Sequence, residues 1–131
     1  MAAPNILNLT TAIGKTTAFT PTGTTAVVLL PNAASSGKVL KVNSLVVSNL
    51  SASASIAATV SYYTNGGVAQ GSAPSGGTAF SLATAVVIPS AASLIVIDKT
   101  TEYYVEENAS LVITSGTASN LTFSVSYEEL S

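Results

Sequence analysis

Between Lys38 and Tyr63 the chain reads KVLKVNSLVVSNLSASASIAATVSYY, and the second half of this stretch alternates with a period of two. Ala52, Ala54, Ile56, Ala58, Val60 and Tyr62 fall on one side; Ser51, Ser53, Ser55, Ala57, Thr59 and Ser61 fall on the other. Successive side chains of a pleated strand point to opposite faces, so the pattern describes a strand with one apolar and one small, hydroxylated face. Such a strand covers a core on one side only. Val39 to Leu50 is richer in Val and Leu, as expected of a more buried strand. Ser and Ala residues around Leu50–Ser53 separate the halves, which predicts neighbouring antiparallel strands joined by a short turn.

The same alternation recurs elsewhere. Thr24 to Leu30 sets Ala26, Val28 and Leu30 against Thr25, Val27 and Leu29, and Pro31-Asn32 ends it. Phe80, Leu82, Thr84, Val86 and Ile88 share a face as far as Pro89, which cannot donate to a ladder. Ser93–Asp98, Glu102–Glu106, Ser110–Thr114 and Asn120–Tyr127 continue the series; in the last, Leu121, Phe123, Val125 and Tyr127 point inward. No window carries a sustained helical spacing of apolar residues. About eight short strands separated by turn signals predict an all-β antiparallel β-sandwich, jelly-roll or immunoglobulin-like, with no substantial helix. Two echoes run through it: Ser44–Ser48 resembles Ser110–Thr114, and Thr59–Tyr62 resembles Ser124–Tyr127. Each pair brackets a turn, which predicts two similar hairpins facing each other across the sandwich.

A length of 131 residues fits one domain. Residues 26–131 are expected to form it. Residues 1–25 are expected to be an extended arm or an edge strand, with Ile6, Leu7 and Leu9 as its apolar contacts. The Gly- and Ser-rich loop at 65–78 lacks charged or aromatic anchors and is expected to be mobile and exposed, either a hairpin-tip insertion or a binding loop.

Composition narrows the function. The chain has no Cys and no His, so thiolate metal sites, disulfides and the commonest general base are all excluded. It has no Arg, and its four lysines (Lys15, Lys38, Lys41 and Lys99) are scattered in sequence, so no basic face for nucleic acid is expected. No apolar run is long enough to span a bilayer as a helix, and the N-terminus reads unlike a secretory signal. The Asn-x-Ser/Thr sequons at Asn8, Asn49, Asn108 and Asn120 are accordingly read as chance products of a Ser/Thr-rich chain. Glu106-Glu107 reads as a solvated turn rather than a calcium site, which needs six to eight oxygens. Serines have no base beside them in sequence, so no catalytic triad is expected, nor any cofactor or small-molecule substrate. The tyrosines (Tyr62, Tyr63, Tyr103, Tyr104 and Tyr127) read as core closures, or alternatively as stacking platforms for a glycan. Charged residues make up 8% of the chain, against about 25% in an average soluble domain, and mean hydropathy is +0.53. Weakly charged sheets with open edges pair with one another, so much of this surface is expected to be covered by copies of the chain or by another protein. Ile6, Leu7, Leu9, Phe19, Tyr63 and Tyr104 are the candidate partner contacts.

The second half of the chain resembles small virion structural proteins of tailed phages, including those infecting marine cyanobacteria. The resemblance rests on Ser93-Leu94-Ile95-Val96-Ile97-Asp98-Lys99, Tyr104-Val105-Glu106-Glu107, Ser110-Leu111 and the terminal Ser126-Tyr127-Glu128-Glu129. In the first half it rests on Ser35, Gly37, Lys38, Val42, Asn43, Ser44, Leu45, Val47, Ser48 and Asn49. The chain departs from the pattern at Asn108, which takes the place of a glycine after Glu106-Glu107. The resemblance implies a virion component and not an enzyme, without fixing its place in the particle; the expected role is a capsid decoration (cement) protein on the shell surface, assembled in the host cytoplasm. Its partners would be copies of itself in a homotrimer and the major capsid protein, not membrane or nucleic acid. A neck, tail or fibre-associated structural protein, or a glycan- or receptor-binding module, is the alternative.

Overall fold

A computed structural model describes residues 4–65 and 68–131. Nine strands follow a short 3-10 turn at Ile6–Asn8: β1 (Ala12–Phe19), β2 (Val27–Pro31), β3 (Val39–Asn49), β4 (Ile56–Thr64), β5 (Thr78–Ile88), β6 (Ser93–Ile97), β7 (Tyr103–Val105), β8 (Ser110–Ser115) and β9 (Leu121–Leu130). One sheet runs β1-β9-β3, with β6 and β7 lying end to end on the far edge of β3. The other runs β2-β8-β4-β5. Every pairing is antiparallel. Only β4 and β5 are joined as a hairpin within one sheet. If β6 and β7 count as one broken strand, every other connection crosses between sheets, and the strand order is that of a jelly roll.

The all-β sandwich read from the sequence is therefore present, but the predicted β3–β4 hairpin is not. β3 and β4 belong to opposite sheets, and residues 50–55 carry the chain across. β4 also starts at Ile56, not Ala52; from there Ile56, Ala58 and Val60 are buried as the alternation requires. The echoed segments are not facing hairpins either. They fall on β3, β8, β4 and β9, which pair β3 with β9 and β4 with β8 as the central strands of the two sheets. Residues 12–19 form the edge strand, whereas Ile6 and Leu7 lie in the 3-10 turn before it, outside the sheet.

Between the sheets lies one continuous core, built on Leu29, Leu45, Val47, Val60, Ile88, Ile97, Leu111, Ile113, Leu121 and Phe123. Each fully buried side chain of this size contributes roughly 1.5–3 kcal/mol relative to exposure. At one end of the sandwich Asn32 is buried among the crossovers β2–β3 and β7–β8; at the other, Asn49 is buried among β3–β4 and β5–β6. Asn108, where the glycine is replaced, adopts a left-handed φ of +62°, a conformation asparagine tolerates better than most residues.

Candidate functional site

The two lateral sides of the sandwich differ. On the β1/β2 side lies the Gly- and Ser-rich loop that joins β4 to β5, most of its described residues exposed. Its described residues cross the outer face of the second sheet and bind the edge of β2: the Gly71 amide donates to the Val28 carbonyl at 2.8 Å, and the Val28 amide donates to Ser72 at 2.9 Å. The Gln70 side-chain amide donates to the Leu29 carbonyl (2.8 Å) and to Thr17 Oγ1 on β1 (3.1 Å), linking the two sheets. Val68 packs on Val28, Tyr63 and Val112, so β2 is covered on both faces. That is why Val28, Leu29 and Leu30 are buried in succession where alternation predicted otherwise; a register shift between Val28 and Leu30 contributes. Gly71, at φ +85°, stands against the Phe19 ring, 3.2 Å from where a Cβ would sit. A strand edge covered by a loop no longer templates another chain. Gly66 and Gly67, part of the expected loop, lie outside the described residues.

The opposite side is open. β5 ends its sheet, and among the described residues no strand or loop pairs with its outer edge. β6 and β7 form the matching edge of the other sheet, interrupted between Ile97 and Tyr103. Phe80 is in register with Tyr62, and Val86 with the buried Ala58. Directly opposed residues share a face, so both belong to the core side, as alternation predicted. Yet Phe80 is 58% exposed at the seam between the sheets, where β5 has no neighbour on its outer edge. Val87 (63% exposed) and Ile95 (64%) flank the seam on the outside. From Val42 to Ile97 the sequence contains no Asp, Glu, Lys or Arg, so β5 and β6 carry no charge; Asp98, Lys99 and Glu102 lie in the break between β6 and β7.

Charge gathers elsewhere. Lys15, far in sequence from Lys38 and Lys41, comes together with them and with glutamates on the first sheet. Glu129 bridges Lys15 (3.0 Å) and Lys38 (2.9 Å), and Lys41 lies 3.5 Å from Glu102 and 3.8 Å from Glu128. Hydrogen bonds from Lys38 and Lys15 hold the Glu129 carboxyl below the usual range, and the same bond raises Lys15. Within a turn, the Thr100 hydroxyl and amide lower Asp98. Among the described residues no cluster of three acidic side chains is arranged to hold a metal ion, and no helix is long and apolar enough to cross a membrane.

The six candidate contacts do not converge. Leu7 (95% exposed) and Ile6 project from the 3-10 turn, with Leu9 half-buried beside them. Phe19 packs against the core and under Gly71. Tyr63, taken as a surface contact, is 8% exposed; its hydroxyl accepts from the Gly77 amide at 2.9 Å, and the loop covers its ring. A strand puts neighbouring tyrosines on opposite faces, and the face away from the core is the one the loop occupies. Tyr104 is exposed on β7. Tyr62 packs against the core, where burial raises its hydroxyl, and Tyr127 packs there too. The seam residues Phe80, Val86, Val87 and Ile95 were absent from the expected contacts. Their signal was the long uncharged stretch; what hid it was an alternation that places Phe80 and Val86 inside. No protein-family model, curated protein or solved structure matches this chain.

Proposed function

We propose that this chain is a structural protein of a tailed-phage virion, a capsid decoration protein that docks on major capsid subunits and holds neighbours together. The observation that carries this reading is the open side of the jelly roll: an edge strand with no charge, beside exposed apolar side chains, a surface suited to being covered by another protein chain, a shell subunit or a further copy. Long uncharged edges left bare invite pairing with other chains, and large apolar patches mark contact sites. The motif resemblance to virion proteins supplies the setting, with a homotrimer at threefold positions of the shell as the expected assembly. The reading is mechanical and requires no reaction. Binding several shell subunits at once multiplies weak contacts by effective concentration, and the shell gains resistance to internal pressure. A neck, tail or fibre location satisfies the same surface. The glycan-binding alternative is less favoured, because Tyr62, Tyr63 and Tyr127 are packed into the protein.

Copy number tests the proposal. In purified virions, stained-gel intensity relative to the major shell protein should correspond to hundreds of copies. A handful would move the protein to the neck or tail, and complete absence from particles would end the virion reading.

A further inference from the structure

We infer that the open side of the sandwich is the docking surface for a second copy of this chain, with β5 of one copy running antiparallel to β5 of the other across a two-fold axis. The inference does not depend on attachment to a shell. Phe80 and Val86 are core-facing by register yet exposed, and a second copy laid along the seam supplies the missing cover. The outer backbone groups of β5 are free to continue the ladder. Ala85, in the left-handed region at φ +46°, interrupts the strand, so apolar side chains share the contact with backbone pairing.

Charge selects the occupant. Along β5 and β6 a strongly charged partner would find no counter-charge, whereas the β5 of a second copy brings no charge against it; Asp98, Lys99 and Glu102 lie beyond the end of β6. Size agrees. The 11 residues of β5 extend roughly 37 Å, and two sheets about 10 Å apart with their side chains give a footprint on the order of 600 Å² per copy. About 1,200 Å² in total reaches the lower end of stable interfaces. An antiparallel strand paired with itself is isologous and closes after two copies. It therefore predicts a dimer where the decoration role carries the expectation of a homotrimer.

The test is the mass of the full chain by light scattering across micromolar to millimolar concentration. A dimer is expected. Phe80→Lys with Val87→Lys, both at exposed positions, should weaken it by roughly 30-fold or more by setting like charges face to face, with the circular dichroism spectrum and melting temperature held. Leu7→Lys should leave the dimer intact. Because the chain has no cysteine, Thr84→Cys, exposed near the middle of β5, adds a single thiol whose bis-maleimide cross-linking should capture the dimer. A monomer at all concentrations overturns the inference. So does a dimer that survives the double lysine variant, or one lost in Leu7→Lys. A trimer overturns the two-fold pairing and leaves the decoration reading standing; a dimer absent from virions does the reverse.

Discussion

The Asn32 side-chain amide donates to the carbonyls of Lys38 (2.9 Å) and Val105 (3.0 Å), its oxygen accepts from Ser36, and its backbone amide donates to Ala109. One residue thus ties the entry to β3, the end of β7 and the entry to β8. Asn49 repeats the arrangement at the other end. Its amide donates to Ala54 (2.9 Å), Ile88 (3.0 Å) and Pro89 (3.2 Å), its oxygen accepts from the Ser51 amide, and its backbone amide donates to Ala92. Crossover segments cannot satisfy their carbonyls in a ladder, and a buried carbonyl left unpaired costs about 1–3 kcal/mol. Asn32→Ala and Asn49→Ala should each destabilise the protein by about 2–3 kcal/mol, lowering the melting temperature by roughly 6–12 °C. Asn5→Ala, whose side chain caps only the exposed 3-10 turn, should change it little. Thermal melts of the three variants check this; equal melting temperatures would remove the latch role. In the sequence Asn49 registers only as the start of a sequon and Asn32 only as a strand stop. Their role depends on carbonyls up to 73 residues away, which no local pattern contains.

Strands were legible because one-sided burial writes a period of two into the residues; their partners were not. The Ser-Ala segment after Leu50 has the same turn composition whether the chain reverses within a sheet or passes to the facing one, and periodicity constrains the face, not the neighbour. The anchoring of the loop at 65–78 was not legible for a related reason. Backbone amides at Gly71 and Val28 hold it down, and backbone hydrogen bonds leave no mark on side-chain composition. Likewise, Lys15 becomes a neighbour of the distant Lys38 and Lys41 because β9 lies between β1 and β3. Glu129 clamps Lys15 of β1 and Lys38 at the approach to β3. Its folded pKa is depressed, so its contribution is complete above the unfolded value near 4.5 and is lost as pH falls through the folded value. The bond's effect on Lys15 has the opposite sign: that contribution is present below 10.5 and lost only as pH rises through the elevated folded value. Glu129→Gln should therefore melt a few degrees below the parent at about pH 6–8, the difference being small because both lysines are partly exposed. The two proteins should converge near about pH 3. A difference that persists at acid pH would mean that the glutamine acts through packing instead.

At the scale of the whole molecule, charge and apolar exposure are segregated. Lys15, Lys38, Lys41, Glu102, Glu128 and Glu129 gather on β1, β3, β9 and the approaches to β3 and β7, whereas β4, β5 and β6 are uncharged along their whole length. A contact made through the first region would be screened by salt, since interactions between exposed charges fade beyond a Debye length of about 8–10 Å near physiological ionic strength. A contact made through the second has no charges to screen, and removing apolar surface from water is not weakened by a screening salt. Self-association through the β5 side should then change less than about twofold in Kd between roughly 20 and 500 mM NaCl, whereas contacts steered by charge fall steeply over that range. Sedimentation equilibrium at the two salt concentrations, repeated with the Phe80→Lys, Val87→Lys double variant, separates the cases. The parent should hold its affinity, and the variant, which sets lysines against each other, should recover part of its loss at high salt as their repulsion is screened. A parent affinity that drops tenfold with salt would assign the contact to the Lys–Glu region of the first sheet and leave the open seam without a partner.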